Sequence, residues 1–212
     1  MTARAHHMVA EFATTFGHPH NTTPTLPNRR TRKLRLTLLQ EEYDETMAAA
    51  LIPDIVEVAD GLGDIAYIAH GTLHAYGFTY DPRVVQGKVG LREAVRLYTD
   101  MERRFLRGEM GEFTGAELDL AKWNTVLHRA LNQILVEVKF VARDYGIPFM
   151  KVFEDIHFSN MSKLWPADDT SPVPYPKFRA DGKVLKGPHT RKPNILQILI
   201  DDGHPIYAEA AA

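Results

Sequence analysis

Two stretches decide how this chain folds: Leu38-Leu39-Gln40-Glu41-Glu42-Tyr43-Asp44-Glu45 and, after Pro53, Glu57-Val58-Ala59-Asp60-Gly61-Leu62-Gly63-Asp64. On a helical wheel at about 100° per residue, Leu36, Leu39, Tyr43 and Met47 fall on one stripe. Lys33, Thr37, Gln40 and Asp44 form a narrow polar stripe beside it. Glu41, Glu42 and Glu45 fall largely on a third sector, the one that Leu34 and Leu38 occupy earlier, so these glutamates continue an apolar stripe. Like charges three and four residues apart repel by a few tenths of a kcal/mol on an exposed helix. Partly buried, they repel by about 4 kcal/mol at about 4 Å for an effective dielectric of about 20. A cation is expected to offset that repulsion.

The second stretch repeats the pattern. Glu57, Asp60 and Asp64 lie within about a 60° arc, with Val58, Leu62, Ile65, Ala66, Ala69 and Leu73 opposite. Between Ile55 and Ala75 they are the only formally charged residues. Either cluster alone reads equally well as an acidic solvent face. Two consecutive helices with a short connection pack antiparallel, however, and would face their carboxylates across one site. An all-oxygen donor set suits magnesium or manganese rather than zinc, and magnesium with phosphates makes phosphoanhydride cleavage the natural chemistry.

Outward from this pair the elements are helical. The first acid helix is expected from about Arg32 to Ala50, and Asp54 caps the next, which ends at Gly77. Before them, Pro19, Pro24 and Pro27 make residues 17–28 an extended loop. After the Asp81-Pro82 turn, Leu91, Val95, Tyr98 and Phe105 recur at helical spacing up to Gly108. Thr114-Gly115-Ala116-Glu117 reads as a capping box opening a long helix to Tyr145. Its apolar stripe, Trp123, Leu127, Leu131, Ile134 and Val138, reads as core or oligomer contact. Pro148 opens a helix to about Lys163, residues 164–192 form a loop, and Pro193 to Asp201 forms a short last helix. Strand signals are few, so the fold class is all-α.

Composition excludes several functions. Twenty-seven acids against 25 bases give a net charge of -2, which is no general footprint for a nucleic acid polymer or an anionic membrane. There is no cysteine, hence no disulfide or thiolate metal site, which fits a cytoplasmic protein. No apolar run is long enough for a signal peptide or a membrane span.

Leu-x-x-Glu-Glu-x-x-Glu followed by Asp-x-x-x-Asp-x-x-Tyr-x-x-x-Gly-Thr resembles the MazG-like all-α nucleotide pyrophosphohydrolases, related to phosphoribosyl-ATP pyrophosphohydrolase. The similarity runs through Glu41, Glu42, Glu45, Asp60, Asp64, Tyr67, Gly71 and Thr72. It resumes at His157 to Lys163, which holds Asn160-Met161-Ser162-Lys163, and at Ala180 to Pro188. Together it spans about two thirds of the 212 residues.

The resemblance implies a helical bundle acting as a homodimer or higher oligomer, with nucleoside triphosphates as substrate. Glu41, Glu42, Glu45 and Asp64 would hold Mg²⁺ (or Mn²⁺) with Asp60 assisting, and Glu57 is held in reserve for Asp60. Glu41 or Glu42 would take the proton of a water that attacks the α-phosphorus and expels pyrophosphate. Lys163, Lys183 and Lys186 would contact phosphate, and Asn160 the sugar or base.

Two departures stand out. Residues from about 84 to 143 form an insertion of at least two helices within what reads as a single domain, and are expected to cover the nucleotide as a lid. The second acid motif is also offset from the usual Glu-x-x-Asp spacing. Two rival functions remain: hydrolysis of phosphoribosyl-ATP, and a non-enzymatic helical interaction protein whose acid stripes are surface. His70 and His74, spaced four apart, read as a satisfied or interface pair rather than a zinc site, and Asn21-Thr22-Thr23 as no glycosylation signal.

Overall fold

The computed structural model describes residues 3–108 and 120–208. Eight helices follow in order: α1 (Ala3–Thr15), α2 (Arg29–Leu51), α3 (Ile55–Tyr76), α4 (Leu91–Arg107), α5 (Leu120–Asp144), α6 (Phe149–Met161), α7 (Ile195–Asp201) and α8 (Pro205–Ala208). No strand occurs among the described residues; residues 164–192 carry only isolated antiparallel bridges, Trp165 with Tyr175, Asp168 with Ser171 and Phe178 with Val184.

α3 is the hub. It packs on α1, α2, α5, α6 and α7, and 17 of its 22 residues are buried. A helix apolar around most of its circumference must be enclosed, and Ile65 to Tyr76 is buried without interruption. Its ends are set locally. The Asp54 side chain accepts hydrogen bonds from the amides of Val56 and Glu57, and Gly77 closes the other end in the left-handed conformation at φ 69°. Gly77 has a second reason to lack a side chain, because a Cβ there would stand 1.9 Å from the Thr23 carbonyl oxygen. The extended loop 17–28 is laid along this end by Asn21 N–H to His74 O (2.9 Å) and Thr25 N–H to Tyr76 O (2.9 Å). The Asn21 amide itself donates to Ala75 O at 2.6 Å.

Several boundaries differ from expectation. α2 begins at Arg29 because the Asn28 side chain caps it, accepting from Thr31 N–H at 2.9 Å. α6 ends at Met161, and the last expected helix starts at Ile195 and is followed by α8. The Thr114–Glu117 capping box lies outside the described residues, as does the Trp123 side chain.

The inserted helices are structural in their described parts. Leu127, Leu131, Ile134, Leu135 and Val138 of α5 have no exposed surface and pack in the core with α3 residues. α4 is tied to both acid helices by a buried network. Arg32 of α2 donates to Glu102 of α4 at 2.7 Å and to the Tyr76 hydroxyl of α3 at 3.0 Å, while Tyr76 donates to the other Glu102 oxygen. No described residue of 84–143 lines the cavities beside the acids, so the described part of the insertion acts as core and not as cover.

Candidate active site between the acid helices and the C-terminal loop

Small residues let the helices close around the acids. A Cβ on Gly61 would stand 2.0 Å from Thr46 Oγ1 of α2, and one on Gly63 would stand 2.2 Å from Ile156 Cδ1 of α6. These two glycines flank Leu62 between Asp60 and Asp64, so α2 and α6 approach α3 at the level of its carboxylates. Of the third sector of α2, Leu34, Leu38 and Glu42 line one cavity with Asp64 and Tyr67 of α3, whereas Glu41 and Glu45 are exposed and line neither cavity beside the acids.

The cations arrive from far along the chain. Lys163 follows α6, and its ammonium hydrogen-bonds to Asn160 Oδ1. The loop then folds back through Arg179 N–H to Lys183 O (2.8 Å) and Leu185 N–H to Lys177 O (2.8 Å), setting Lys183 over α2. There its ammonium stands 3.4 Å from Glu41. Gly187 N–H donates to Lys163 O at 3.0 Å, and its Cα lies so close to Leu164 that a Cβ would meet that carbonyl oxygen at 2.3 Å.

One cavity is therefore lined by Glu42, Asp64, Asn160, Lys163, Lys183 and Lys186, and an adjoining one by Asp60, Asp64, Asn160, Lys163 and Lys186. Glu57 lines neither, which separates it from Asp60 and Asp64. Glu41 and Glu45 are exposed at the rim.

The electrostatics report crowding. Asp64 has its pKa pushed up from 3.8 to about 8, first by burial, then by the neighbouring charges of Glu42 and Asp60, with Lys163 opposing. Glu42 and Asp60 are also raised, again by burial first; Glu45 adds to the first and Glu57 to the second. Burial lowers Lys163, while Asp64 supports its charge. Among the described residues no three acid or histidine side chains converge at coordinating distance. The carboxylates thus surround the site without converging on one point. Their all-oxygen chemistry is of the kind that suits a divalent cation, which Glu42, Asp60 and Asp64 would hold from the cavity walls and Glu41 and Glu45 from outside them.

The sequence reading gave no role to the far wall of the first cavity, Phe12, His18, Arg35 and Tyr67, although Tyr67 lies in the motif that carries the resemblance. A signal for Arg35 was present, since it lies on the same face of α2 as Leu38 and Glu42. Tyr67 bonds to His157 Nδ1 at 3.0 Å, and His157 Nε2 stands 3.4 Å from Glu11, which holds α1, α3 and α6 together behind the site.

The profile of the phosphoribosyl-ATP pyrophosphohydrolase family matches residues 9–86, from the middle of α1 through α3, and stops where the insertion begins. An uncharacterized protein of Acanthamoeba polyphaga mimivirus is 30% identical over 174 residues, which is 74% of this chain and 69% of that protein. No solved structure matches the chain. The all-helical architecture agrees with the profile, and residues 9–86 place the chain with the phosphoribosyl-ATP pyrophosphohydrolase family, within the MazG-like all-α nucleoside triphosphate pyrophosphohydrolase superfamily.

Proposed function

We propose that the protein hydrolyses nucleoside triphosphates, ribo- or deoxyribo-, to the monophosphate and pyrophosphate, with Mg²⁺ held by Glu41, Glu42, Glu45 and Asp64 and supported by Asp60. The observation that carries this reading is Asp64. Its buried carboxyl is raised to about 8 among Glu42, Asp60 and Glu45, with Lys163 the one cation opposing. Such a cluster destabilises the fold unless a cation joins it, and acid clusters of this kind mark functional sites. Bound there, the metal would supply charge neutralisation for the triphosphate and a more acidic water.

The chain's own groups do the rest. Glu42 faces the cavity with a raised affinity for protons, which suits it to accept the proton of the attacking water. Glu41 orients Lys183 through their ion pair. Lys163, Lys183 and Lys186 bind phosphate oxygens and draw charge toward the departing pyrophosphate. Asn160 is 7% exposed, holds Lys163 by its Oδ1 and the Tyr67 hydroxyl by its NH₂, leaving one N–H for the sugar.

The test is pyrophosphate release from a panel of nucleoside and deoxynucleoside triphosphates with Mg²⁺, beside Glu42→Gln and Asp64→Asn. Release lost in both variants, with melting temperatures no lower than the parent's, supports the reaction. No release from any nucleotide sinks it. A second reading, hydrolysis of phosphoribosyl-ATP, is favoured by the matching family profile; direct competition between that compound and the best nucleotide distinguishes the two.

A further inference from the structure

The cavity shared by Glu42 and Asp64 has a second end that phosphate chemistry leaves unused, walled by Phe12, His18, Ile68, Gly71 and Arg35. Arg35 precedes Glu42 by about two turns of α2, a separation of roughly 10 Å along the axis and on the scale of one nucleoside. Its guanidinium lies against α3 at Gly71, where a Cβ would stand 2.6 Å from Nη1. Its Nε is buried and has no hydrogen-bond partner. Burial disfavours its charge, and the groups that favour it are the Tyr98 and Tyr67 hydroxyls, not a carboxylate. Arg32, one turn earlier, has Glu102 at 2.7 Å.

A guanidinium carries five donors and no acceptor, and burying it unpaired is costly. A ligand in this cavity must therefore bring acceptors to it. The surroundings select a ring over a second anion: Val9, Phe12, Leu38 and Ile68 line the cavity, and Phe12 stacks on His18 at 5.5 Å between centroids.

Resting on the nucleotide-hydrolase reading, we infer that Arg35 reads the base, donating to a carbonyl oxygen on the edge remote from the sugar. The site then takes uracil, thymine, guanine or hypoxanthine nucleotides ahead of cytosine and adenine, which present an amino donor at that position. Gly71 is part of the device, because any side chain there would push the guanidinium out of place.

The experiment compares kcat/KM of the full chain with Mg²⁺ on UTP against CTP and on GTP against ATP. Carbonyl bases should lead by about tenfold or more in each pair, the worth of one hydrogen bond to a charged group. Arg35→Gln should narrow both ratios to about threefold or less, mainly through KM for the carbonyl bases. Gly71→Ala should narrow them in the same direction, and melting curves identify which variants are folded. No carbonyl preference in the parent, or an equal loss on all four nucleotides in folded Arg35→Gln, overturns the assignment. If nothing is hydrolysed, calorimetric binding of UMP, CMP, GMP and AMP separates the two ideas. A carbonyl preference there upholds Arg35 while the hydrolase reading falls, and equal or absent binding overturns Arg35 as well.

Discussion

Gly61 of α3 faces Thr46 of α2 so closely that a methyl group on Gly61 would lie 2.0 Å from Thr46 Oγ1. That hydroxyl is already turned back onto its own helix, donating to Glu42 O at 2.6 Å. The contact fixes the spacing of the two acid helices one turn from Glu42 and beside Asp60.

Gly61→Ala should therefore force α2 from α3. Overpacking of this kind costs about 1–3 kcal/mol, partly offset by the better helix propensity of alanine. Urea denaturation should show the lower midpoint, and turnover should fall further than stability explains because Glu42 and Glu45 move with α2. Thr46→Ser in the Gly61→Ala background, which removes a methyl but keeps the hydroxyl, should recover little; Thr46→Ala should recover more.

Asp64 sets a pH dependence of stability in the metal-free protein. Its folded pKa of about 8 lies above the ordinary 3.8, so the folded state holds a proton that the unfolded chain releases. That contribution is fully present below about pH 4 and is lost as pH rises through 8. With a chelator present, Asp64→Asn should melt higher than the parent at pH 8.5, with the gap shrinking toward pH 5. Adding Mg²⁺ at pH 8.5 should raise the parent's melting temperature and leave the variant's nearly unmoved. An unchanged gap across that range would contradict the assignment of Asp64 as the crowded carboxyl.

Histidines give the opposite slope on the acid side. His6 Nδ1 and His70 Nδ1 are 3.2 Å apart and the His6 ring stacks on His74 at 3.9 Å, joining α1 to α3. Burial, followed by the neighbouring histidines, lowers His6 to about 3, and burial lowers His74 to about 4. Groups depressed in the folded state contribute stability above the unfolded value of about 6.5 that is lost as pH falls through 4. Thermal melts between pH 7 and 4 should drop steeply, and His6→Leu should flatten that drop. A parallel curve for the variant would remove the cluster as the cause.

The Arg32–Glu102–Tyr76 network predicts that α4 cannot be loosened cheaply. Arg32 is 4% exposed and Glu102 is 0% exposed. Glu102→Ala leaves a buried guanidinium without its carboxylate, which costs about 3–5 kcal/mol. Arg32→Met with Glu102→Leu should recover most of the loss in chemical denaturation, since the pair itself contributes less than the penalty of breaking it.

Much of this architecture was legible because it is local. Asp54, Gly77 and the alternating stripes of α2 and α3 announce their helices through caps and period, and the acid clusters show as charges on apolar sectors. What was hidden depends on distant partners. Arg35 reads in sequence as one of several bases before an acid helix, and only the packing of α2 on Gly71 reveals that it lacks a counter-charge. Asn21 carries a glycosylation pattern, yet its amide pins the loop to the end of α3. The inserted segment suggested a lid, whereas the stripe of α5 is spent on the core against α3. Likewise, sequence spacing alone does not separate Glu57 from Asp60, whereas in the fold Asp60 shares a cavity with Asp64 and Glu57 is exposed outside it.

The carboxylates of the site come from one continuous hairpin, while its ammonium groups come from a segment beginning a hundred residues later and held by turns and backbone bonds, with Lys163 and Gly187 as its fastening. Such a partition separates what must stay constant from what is free to drift. Insertions and exchanges between residues 164 and 182 alter how the lysines are presented without entering the bundle, so the grip on phosphate can be retuned by changes in a surface segment, at little risk to foldability.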